Sequence, residues 1–482
     1  SDSTVLTHGD DDLTSEPGPL TKVHSSVIRV LAQFVKKYDD EVEPYIQPLL
    51  GDVWGVLERV GALAPEVQIH YDTLVIEALS FLATTITGVH HTMFEDISLL
   101  SSIATNVVMP NIRFSPTAME TFELEAQEYI RADFEGSDSH TRRRSAIDLV
   151  KDMRRYYETP ITNVFSDIIA KLLADYEQDP ENNWYLKDQA IYLVIALATT
   201  SQTKGKGVVA VNELVPLIGF LESSILPELE DLQNMNARAV VKADCLRFVI
   251  SFRRQLQPEH IARLVPVFAA FLTAESTVVA SYAAIAIDTF VSMKDAGVSR
   301  VPKDLLETHM PTLFTNLFER ITNATNKFEA ENPYLGHAIQ VLIPAVGAAI
   351  IPLAKNCLDS LTSKLAAIYR NPTNASFVHS IFESVAGVIQ ALIKGDKAEL
   401  CDEAEQTLLP AFQAIFEEDI LDLIPYVYQL MSQLIEARKS DAAALWERYG
   451  AQFEGFTTAA HWERFPNIPA LTRLVSAYLR FA

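Results

Sequence analysis

The stretch LVPVFAAFL (264–272) opens an apolar run with a proline, and the same arrangement recurs along the chain. Three related stretches are LVPLIGFL (214–221), HMPTLFTNLF (309–318) and IIPLAKNCL (350–358). The prolines of these four stretches, at positions 216, 266, 311 and 352, are 50, 45 and 41 residues apart. Proline suits the first turn of a helix, because the N–H that it lacks would have no partner there. The sequence therefore predicts helices that start at these prolines and return at the interval of HEAT or armadillo helix pairs.

The apolar residues that follow such prolines keep the spacing of one helix face. A clear case steps by 3, 4 and 3 residues through Leu358, Leu361, Leu365 and Ile368. Further copies of the proline-led stripe are at Pro48 and Pro410. These patterns predict an all-α fold over residues 27–482, an α-solenoid of tandem HEAT repeats with about eleven helix pairs. The alternative is an irregular all-helical protein in which the proline spacing arises by chance.

Glycine is scarce, with 17 residues among 482, about half of the usual share of ~7%. Hairpin turns and phosphate-binding loops use glycine because it tolerates positive φ. No stretch alternates apolar and polar residues between Asn-Gly or Asp-Gly turns. We therefore predict no sheet, and we interpret the one dense glycine cluster, TKGKGVV (203–209), as a flexible loop between helices.

The charge of the chain favours basic protein partners. It carries 63 acidic and 39 basic side chains, for a formal net charge of −24. Such a charge repels nucleic acid and anionic lipid, since affinity for phosphate depends on clustered Lys and Arg. The longest apolar stretch, 341–354, contains two prolines and is too short to span a bilayer. We expect no nucleic acid and no membrane insertion, and we interpret the three cysteines as buried apolar residues.

No pattern in the sequence indicates catalysis. The histidines include no pair at the spacing of metal ligands, and neither HExxH nor GxSxG occurs. Nucleotide-binding loops of the GxxxxGK[ST] or GxGxxG type are also missing from the sequence. We therefore predict that the chain is not an enzyme and has no catalytic residue, metal site or cofactor.

Two segments depart from the repeat. Residues 1–26 are polar and are predicted to be a loop or a frayed end. Residues 110–145 form an acidic and basic insertion, in which seven carboxylates precede Arg142, Arg143 and Arg144. A basic run can bind nucleic acid. The preferred interpretation is that these arginines pair with carboxylates, either those of the insertion folding back or those of a protein partner.

The insertion also carries a family resemblance. QEYIRADFEGSDSHTRRRSAIDLVK (127–151) resembles the signature segment of the importin-α re-exporters, which are exportins of the importin-β (karyopherin) superfamily. Further matching segments follow in the order of that family, from about residue 44 to the end. They include ENNWYLKDQAIYLVIALA (181–198), ENPYLGHAIQVL (331–342) and DLIPYVYQLMSQLIE (422–436).

The resemblance implies a superhelix of HEAT repeats that exports importin-α from nucleus to cytoplasm in complex with GTP-bound Ran. It also implies contact with nuclear pore proteins and shuttling between nucleus and cytoplasm. The repeats that make the principal Ran contact in that family are not in this sequence, so the chain is expected to be a central fragment. A passive HEAT scaffold that assembles other proteins is the alternative.

The same resemblance suggests a candidate site. In the family the insertion lies near Ran and cargo and has been viewed as a hinge. The matching residues, predicted to bind Ran or cargo, are Asp133, Glu135, Asp138, Arg142, Arg143 and Arg144. This chain departs from the family pattern at Ala132, where an arginine is usual, and at Phe134, where a leucine is usual.

Overall fold

A computed structural model describes residues 17–134, 141–203, 207–437, 453 and 456–481. The chain divides into two compact units, Ser1–Gln255 and Leu256–Ala482. Within the described residues both units consist mainly of helices, with a short two-stranded sheet in each.

The first unit consists of helices in two layers. Its helices are α1 (Pro19–Lys37), α2 (Asp39–Gly61), α3 (Pro65–Gln68), α4 (Asp72–Thr87), α5 (Ile97–Ser102), α6 (Met109–Asn111), α7 (Pro116–Leu124), α8 (Ala126–Asp133), α9 (Arg142–Gln178), α10 (Trp184–Ala198), α11 (Leu217–Phe220), α12 (Leu226–Glu230) and α13 (Ala239–Ser251). Two π-helical turns, Ile103–Val108 and Leu221–Ile225, join α5 to α6 and α11 to α12.

One layer of this unit is a row in which each helix packs on the next: α1, α4, α9, α10 and α13. Helix α9 is bent at Tyr157, whose φ of −124° and ψ of 45° are not helical. The part before the bend bonds to α10, and the part after it bonds through Tyr176 to α12. The long helix α9 therefore consists of two helical parts that meet at the bend.

The second unit repeats the layered arrangement. Its helices are α14 (Pro258–Phe271), α15 (Thr277–Val291), α16 (Lys303–Thr322), α17 (Lys327–Ala330), α18 (Pro333–Val346), α19 (Ala354–Ile368), α20 (Ala375–Lys394), α21 (Ala398–Glu417), α22 (Ile424–Ala437), α23 (Ala459–Trp462) and α24 (Ile468–Phe481). One row runs through α15, α18, α20, α22 and α24, and the other through α14, α16, α19 and α21. Alternate helices along the chain therefore belong to alternate layers.

Side-chain contacts recur at the predicted repeat length. In the second unit Arg320 donates to the carbonyl of Ala274, 46 residues away, and Lys364 donates to that of Ile321, 43 residues away. In the first unit Arg154 donates to the carbonyl of Leu197 over 43 residues. Together with the alternating layers, these contacts confirm the prediction of an all-α chain of HEAT helix pairs.

The predicted position of the prolines within those helices is wrong in most cases. Pro48, Pro266, Pro311 and Pro410 lie inside α2, α14, α16 and α21, whereas Pro216 directly precedes α11. A proline inside a helix leaves the carbonyl four residues earlier without its N–H partner. Pro48, Pro311 and Pro410 are exposed, so water can bond those carbonyls. The interval was a correct sign of the repeat, although the prolines do not mark helix starts.

Two other expectations are corrected. In the segment 1–26, predicted to be a loop or frayed end, helix α1 begins at Pro19, because Ile28, Ala32 and Val35 give it an apolar face that is buried. Residues 1–16 of that segment lie outside the described residues. Strands β1 (Thr199–Thr203) and β2 (Gly207–Val211) pair where the sequence predicted a loop between helices. A second hairpin joins β3 (Lys294–Asp295) to β4 (Val298–Ser299).

Gly207 explains why the first hairpin was overlooked. Its φ of +69° lies in the left-handed region that glycine favours. A Cβ there would also lie 2.7 Å from the carbonyl oxygen of Ser251. The glycine is therefore needed for its left-handed backbone conformation and for the close approach to Ser251, rather than for flexibility.

Two stretches of the described residues are long and apolar enough to cross a membrane by length and composition alone, Lys327–Ile368 and Ala375–Lys394. The first is interrupted at Gly347, whose φ is +58°. The second is α20, which packs on α18, α19, α21 and α22, and 61% of its most apolar window is buried inside the protein. Burial against neighbouring helices accounts for the apolar character of α20.

Candidate partner-binding site at the central insertion

The insertion folds as the two short helices α7 and α8. Ser115 caps α7 by accepting a hydrogen bond from the backbone N–H of Ala118 at 3.1 Å, and Pro116 occupies the first turn. An aromatic cluster then holds the pair of helices against the start of α10. Its members, with ring centroids 5.0 to 6.5 Å apart, are Phe114, Phe122, Tyr129 and Trp184.

One face of the insertion is acidic and open to solvent. Four of the seven predicted carboxylates are exposed on it: Glu120, Glu123, Glu125 and Glu128. Leu124, between two of them, is 75% exposed. This acidic face, defined by the four glutamates, is the part of the insertion that a basic partner could reach.

Asp133 points the other way, into the first unit. It accepts a hydrogen bond from the hydroxyl of Tyr192 on α10 and forms an ion pair with Arg247 on α13 at 3.0 Å. Asp133 thus joins the end of the insertion to two successive repeats. Glu135 and Asp138, the other two predicted acidic site residues, lie outside the described residues.

Arg143 is also directed inward. Its guanidinium lies 2.5 Å from Asp188 Oδ1 on α10 and stacks over the ring of Tyr192, 3.5 Å from the centroid. The side chain of Asp188 is fully buried, and the carboxyl of Asp244 on α13 contacts it. Burial, with the negative charge of Asp188, raises the pKa of Asp244 well above its usual range.

The two neighbouring arginines have different surroundings. Arg142 pairs with Asp72 at 2.5 Å and donates to the side chain and backbone of Gln68; burial lowers its pKa despite the charge of Asp72. Arg144, 40% exposed, pairs one turn along its own helix with Asp148 at 3.0 Å. Among Arg142, Arg143 and Arg144, Arg144 is therefore the one most accessible to a partner.

These contacts confirm that the arginines pair with carboxylates rather than form a free basic stripe. Within the described residues, their carboxylate partners are Asp72, Asp188 and Asp148 and not the upstream acids of the insertion, contrary to the expectation that those acids would neutralise them. Of the described upstream acids, the four glutamates are exposed to solvent and Asp133 pairs with Arg247 instead. Binding of Ran or cargo by the six predicted residues stays a prediction.

The comparisons with known proteins cover the whole chain. The model of the family described as Cse1 matches residues 2–287, and that described as CAS/CSE protein, C-terminus, matches residues 288–482. The chain belongs to the Cse1/CAS family. Exportin-2 of Xenopus laevis is 36% identical to it over 481 residues, which are 99% of this chain and 48% of the relative. Exportin-2 of Homo sapiens is 35% identical over 480 residues, with the same coverage.

Solved structures agree with this family. A structure of the exportin Cse1 in its cargo-free, cytoplasmic state is 28% identical and superposes with a TM-score of 0.76, covering all of this chain and 49% of its own. Kap121p bound to RanGTP, at 15% identity and a TM-score of 0.59 over 95% of this chain and 43% of its own, shares the fold. The chain spans about half the length of the Cse1/CAS relatives that it matches. These relatives are named as exportins, in agreement with the prediction that the chain is not an enzyme.

A second buried charge cluster in this Cse1/CAS chain was missed from the sequence. Glu228 on α12 pairs with Lys187 at 2.9 Å, Lys242 at 3.0 Å and Arg238 at 2.9 Å, and accepts a hydrogen bond from Tyr176 at 3.0 Å. We call these five residues the Glu228 cluster. Burial alone would raise the pKa of Glu228, but the charges of Lys187 and Lys242 outweigh it and hold that pKa well below its usual range.

One sequence signal could have revealed both buried clusters. Lys187 and Asp188 lie in α10, and Lys242 and Asp244 in α13, among residues that are buried on nearly every side of these helices. A helix that is apolar all round is a core helix, so charges within it need partners. This pattern would have predicted that the charged side chains are buried, but it could not have shown which residues pair with them.

Proposed function

We propose that the chain is the central part of a nuclear transport receptor that exports importin-α in complex with GTP-bound Ran. The observation that carries the proposal is the match of Cse1/CAS family models to residues 2–482. The relatives that align over 99% of the chain are named Exportin-2. Shuttling between nucleus and cytoplasm, and contact with nuclear pore proteins, follow from the same role.

The electrostatics support this proposal. The net charge of −24 and the exposed glutamates of the acidic face attract basic partners and speed their encounter. A karyopherin of the same fold, Kap121p, has been solved bound to RanGTP. Binding, rather than chemistry, is what this role requires of the chain.

The test is recovery of importin-α by the full-length protein, with Ran locked in its GTP or GDP form. We expect importin-α to be recovered with Ran-GTP and largely lost with Ran-GDP. Equal recovery in both forms would favour a passive scaffold and contradict the proposal.

A second experiment tests the acidic face itself. The double variant Glu120→Lys, Glu123→Lys on α7 reverses two exposed charges, and we expect association with importin-α or Ran-GTP to slow severalfold at low salt, less so at high salt. The matched control is Glu43→Lys, Asp52→Lys, which reverses two exposed charges on α2. Equal slowing in both variants would assign the effect to net charge and not to the insertion.

Arg144→Glu tests the arginine run. We expect weaker partner binding with unchanged helix content, because Arg144 is half-exposed and its ion pair lies on its own helix. A loss of circular dichroism signal would mean that this arginine is structural and would remove it from the candidate site.

A further inference from the structure

The inward-facing residues of the insertion belong to a buried cluster contributed by four helices. Helix α8 supplies Asp133, α9 supplies Arg143, α10 supplies Asp188 and Tyr192, and α13 supplies Asp244 and Arg247. We call these six residues the clamp cluster. The ring of Tyr192 lies between the two guanidiniums, 3.5 Å from that of Arg143 and 4.4 Å from that of Arg247. Cation–π contacts of this kind are strongest where water is excluded.

The clamp cluster contains three carboxyl groups and two arginines. Arg143 pairs with Asp188, and Arg247 pairs with Asp133. Asp244 then has no cation of its own within the cluster. An uncompensated carboxylate is costly in a buried position, and protonation of Asp244 removes that cost.

The geometry indicates where that proton lies. Asp188 Oδ2 and Asp244 Oδ2 are buried and receive no hydrogen bond from an N–H or O–H group of the described residues. Both side chains are buried where α10 packs on α13, and the charge of Asp188 acts on the carboxyl of Asp244. Two carboxyls can bond only if one of them is protonated. A proton on Asp244, donated to the carboxylate of Asp188, gives these buried groups a hydrogen-bond partner and removes one negative charge from the cluster.

We propose that the clamp cluster, closed by a proton shared between Asp188 and Asp244, locks α8, α9, α10 and α13 into one rigid block. The insertion then acts as a strap, in the sense that its contacts fix α9, α10 and α13, three successive helices of one layer, relative to one another. It is not a hinge about which these helices rotate. Buried ion pairs are directional, and the loss of one partner leaves the other charged and unpaired. This inference concerns the fold of the first unit and stands independently of the proposed transport role.

Two aspartate variants test the shared proton. Asp244→Asn keeps the shape and supplies an N–H that can donate to Asp188, so it replaces the protonated acid and should leave the block closed. Asp188→Asn removes the negative charge that Arg143 needs, and should open it. The measurement is backbone hydrogen exchange of the full chain at pH 7, followed over residues 126–134, 142–157, 184–198 and 239–251.

We expect Asp188→Asn to raise the rate of hydrogen exchange in these segments on the order of a hundredfold. For Asp244→Asn we expect the rate to rise less than about threefold. Similar effects of the two variants, or a larger effect of Asp244→Asn, would overturn the shared proton. If Asp188→Asn does not fold, a folded Asp244→Asn still supports the assignment, and an unfolded Asp244→Asn contradicts it.

Asp133→Asn tests the strap. It removes the ion pair to Arg247 and should raise exchange in α8, α10 and α13 together, while the second unit stays unchanged. The matched control is Asp148→Asn, which removes the half-exposed acid that pairs with Arg144 on the surface of α9. Exchange that rises only in α8 after Asp133→Asn would show that the insertion is held but does not clamp, and would overturn the proposal.

Discussion

Equivalent helix junctions in the two units are held by different interactions. Between α10 and α13 the first unit buries charged residues, including Lys187 and Asp188 on one helix and Lys242 and Asp244 on the other. Between α18 and α20 the second unit relies on close approach. A Cβ on Gly336 would lie 2.9 Å from Phe377 Cδ2, and one on Gly387 would lie 2.9 Å from Ile343 Cγ2.

The difference shows that one repeat architecture can be stabilised by two kinds of chemistry. Buried ion clusters fix one arrangement of partners, and they fail when a single charge is removed or protonated. Close apolar packing depends instead on volume, and it fails when a side chain is too large. The α10–α13 junction should therefore respond to charge and pH, and the α18–α20 junction to the size of its side chains.

The largest effect is expected from Glu228→Gln. The change keeps the shape but leaves Lys187 and Lys242 buried without their counter-charge, so the free energy of unfolding of the first unit should fall by about 3–5 kcal/mol. Chemical denaturation, with hydrogen exchange to assign the loss to the first unit, measures it. Glu418→Gln, which removes an exposed carboxylate in the second unit, is the control. Comparable losses in the two variants would mean that burial does not distinguish the units.

Acid should weaken the first unit through the same residue. Glu228 has a folded-state pKa below its ordinary value of 4.5, so its contribution is complete above that pH and is lost as the pH falls below it. Asp244, whose pKa is raised, acts with the opposite sign, since its protonated form belongs to the folded state. The stability difference between the wild type and Glu228→Gln isolates Glu228. That difference should shrink by about 1.4 kcal/mol for each unit that the pH falls below 4.5. A difference that stays constant would contradict the claim that the charge of Glu228 stabilises the first unit.

The repeat could be predicted from the sequence because a helix pair leaves a local pattern at a fixed interval. Pro266 and Pro311 recur with that interval, although both lie within helices. What local patterns cannot show is which distant charges meet. Asp133 and Tyr192 are 59 residues apart and contact each other only because the end of α8 lies against α10. The sequence predicted a partner-binding site at the insertion, which stays a prediction, but it could not show how the insertion divides into an acidic face and a clamp cluster, because that division depends on this packing.

A smaller loss is expected from Gly336→Ala in the second unit. The new methyl would press on Phe377 and lie 3.2 Å from Ser380 Cβ, so overpacking should cost about 1–3 kcal/mol. Gly51→Ala is the control, because Gly51 lies in α2 with nothing within 4 Å of the new Cβ. That substitution should stabilise by about 0.5–1 kcal/mol through helix propensity. Thermal unfolding of both variants measures the contrast, and stabilisation by both would mean that α18 and α20 are not tightly packed.

The smallest effect is expected from Arg370→Ala. Arg370 donates to both oxygens of Glu418 at 2.6–3.1 Å, and its hydrogen bonds, with that of Tyr369, lower the pKa of Glu418 to about 2. The geometry is as good as that of the buried clusters, but the guanidinium is 71% exposed, so water and salt screen the pair.

Loss of Arg370 should therefore lower the melting temperature less than Gly336→Ala does, and the shift should disappear in high salt. The control is Arg155→Ala, whose exposed arginine reaches Asp152 only at 4.0 Å and should give no shift at any salt concentration. Because Arg370–Glu418 and the Glu228 cluster share bonding geometry and differ in burial, a salt-independent loss as large as that of Glu228→Gln would show that geometry sets the strength of these contacts. A small, salt-sensitive loss would instead assign the difference between the units to the exclusion of water.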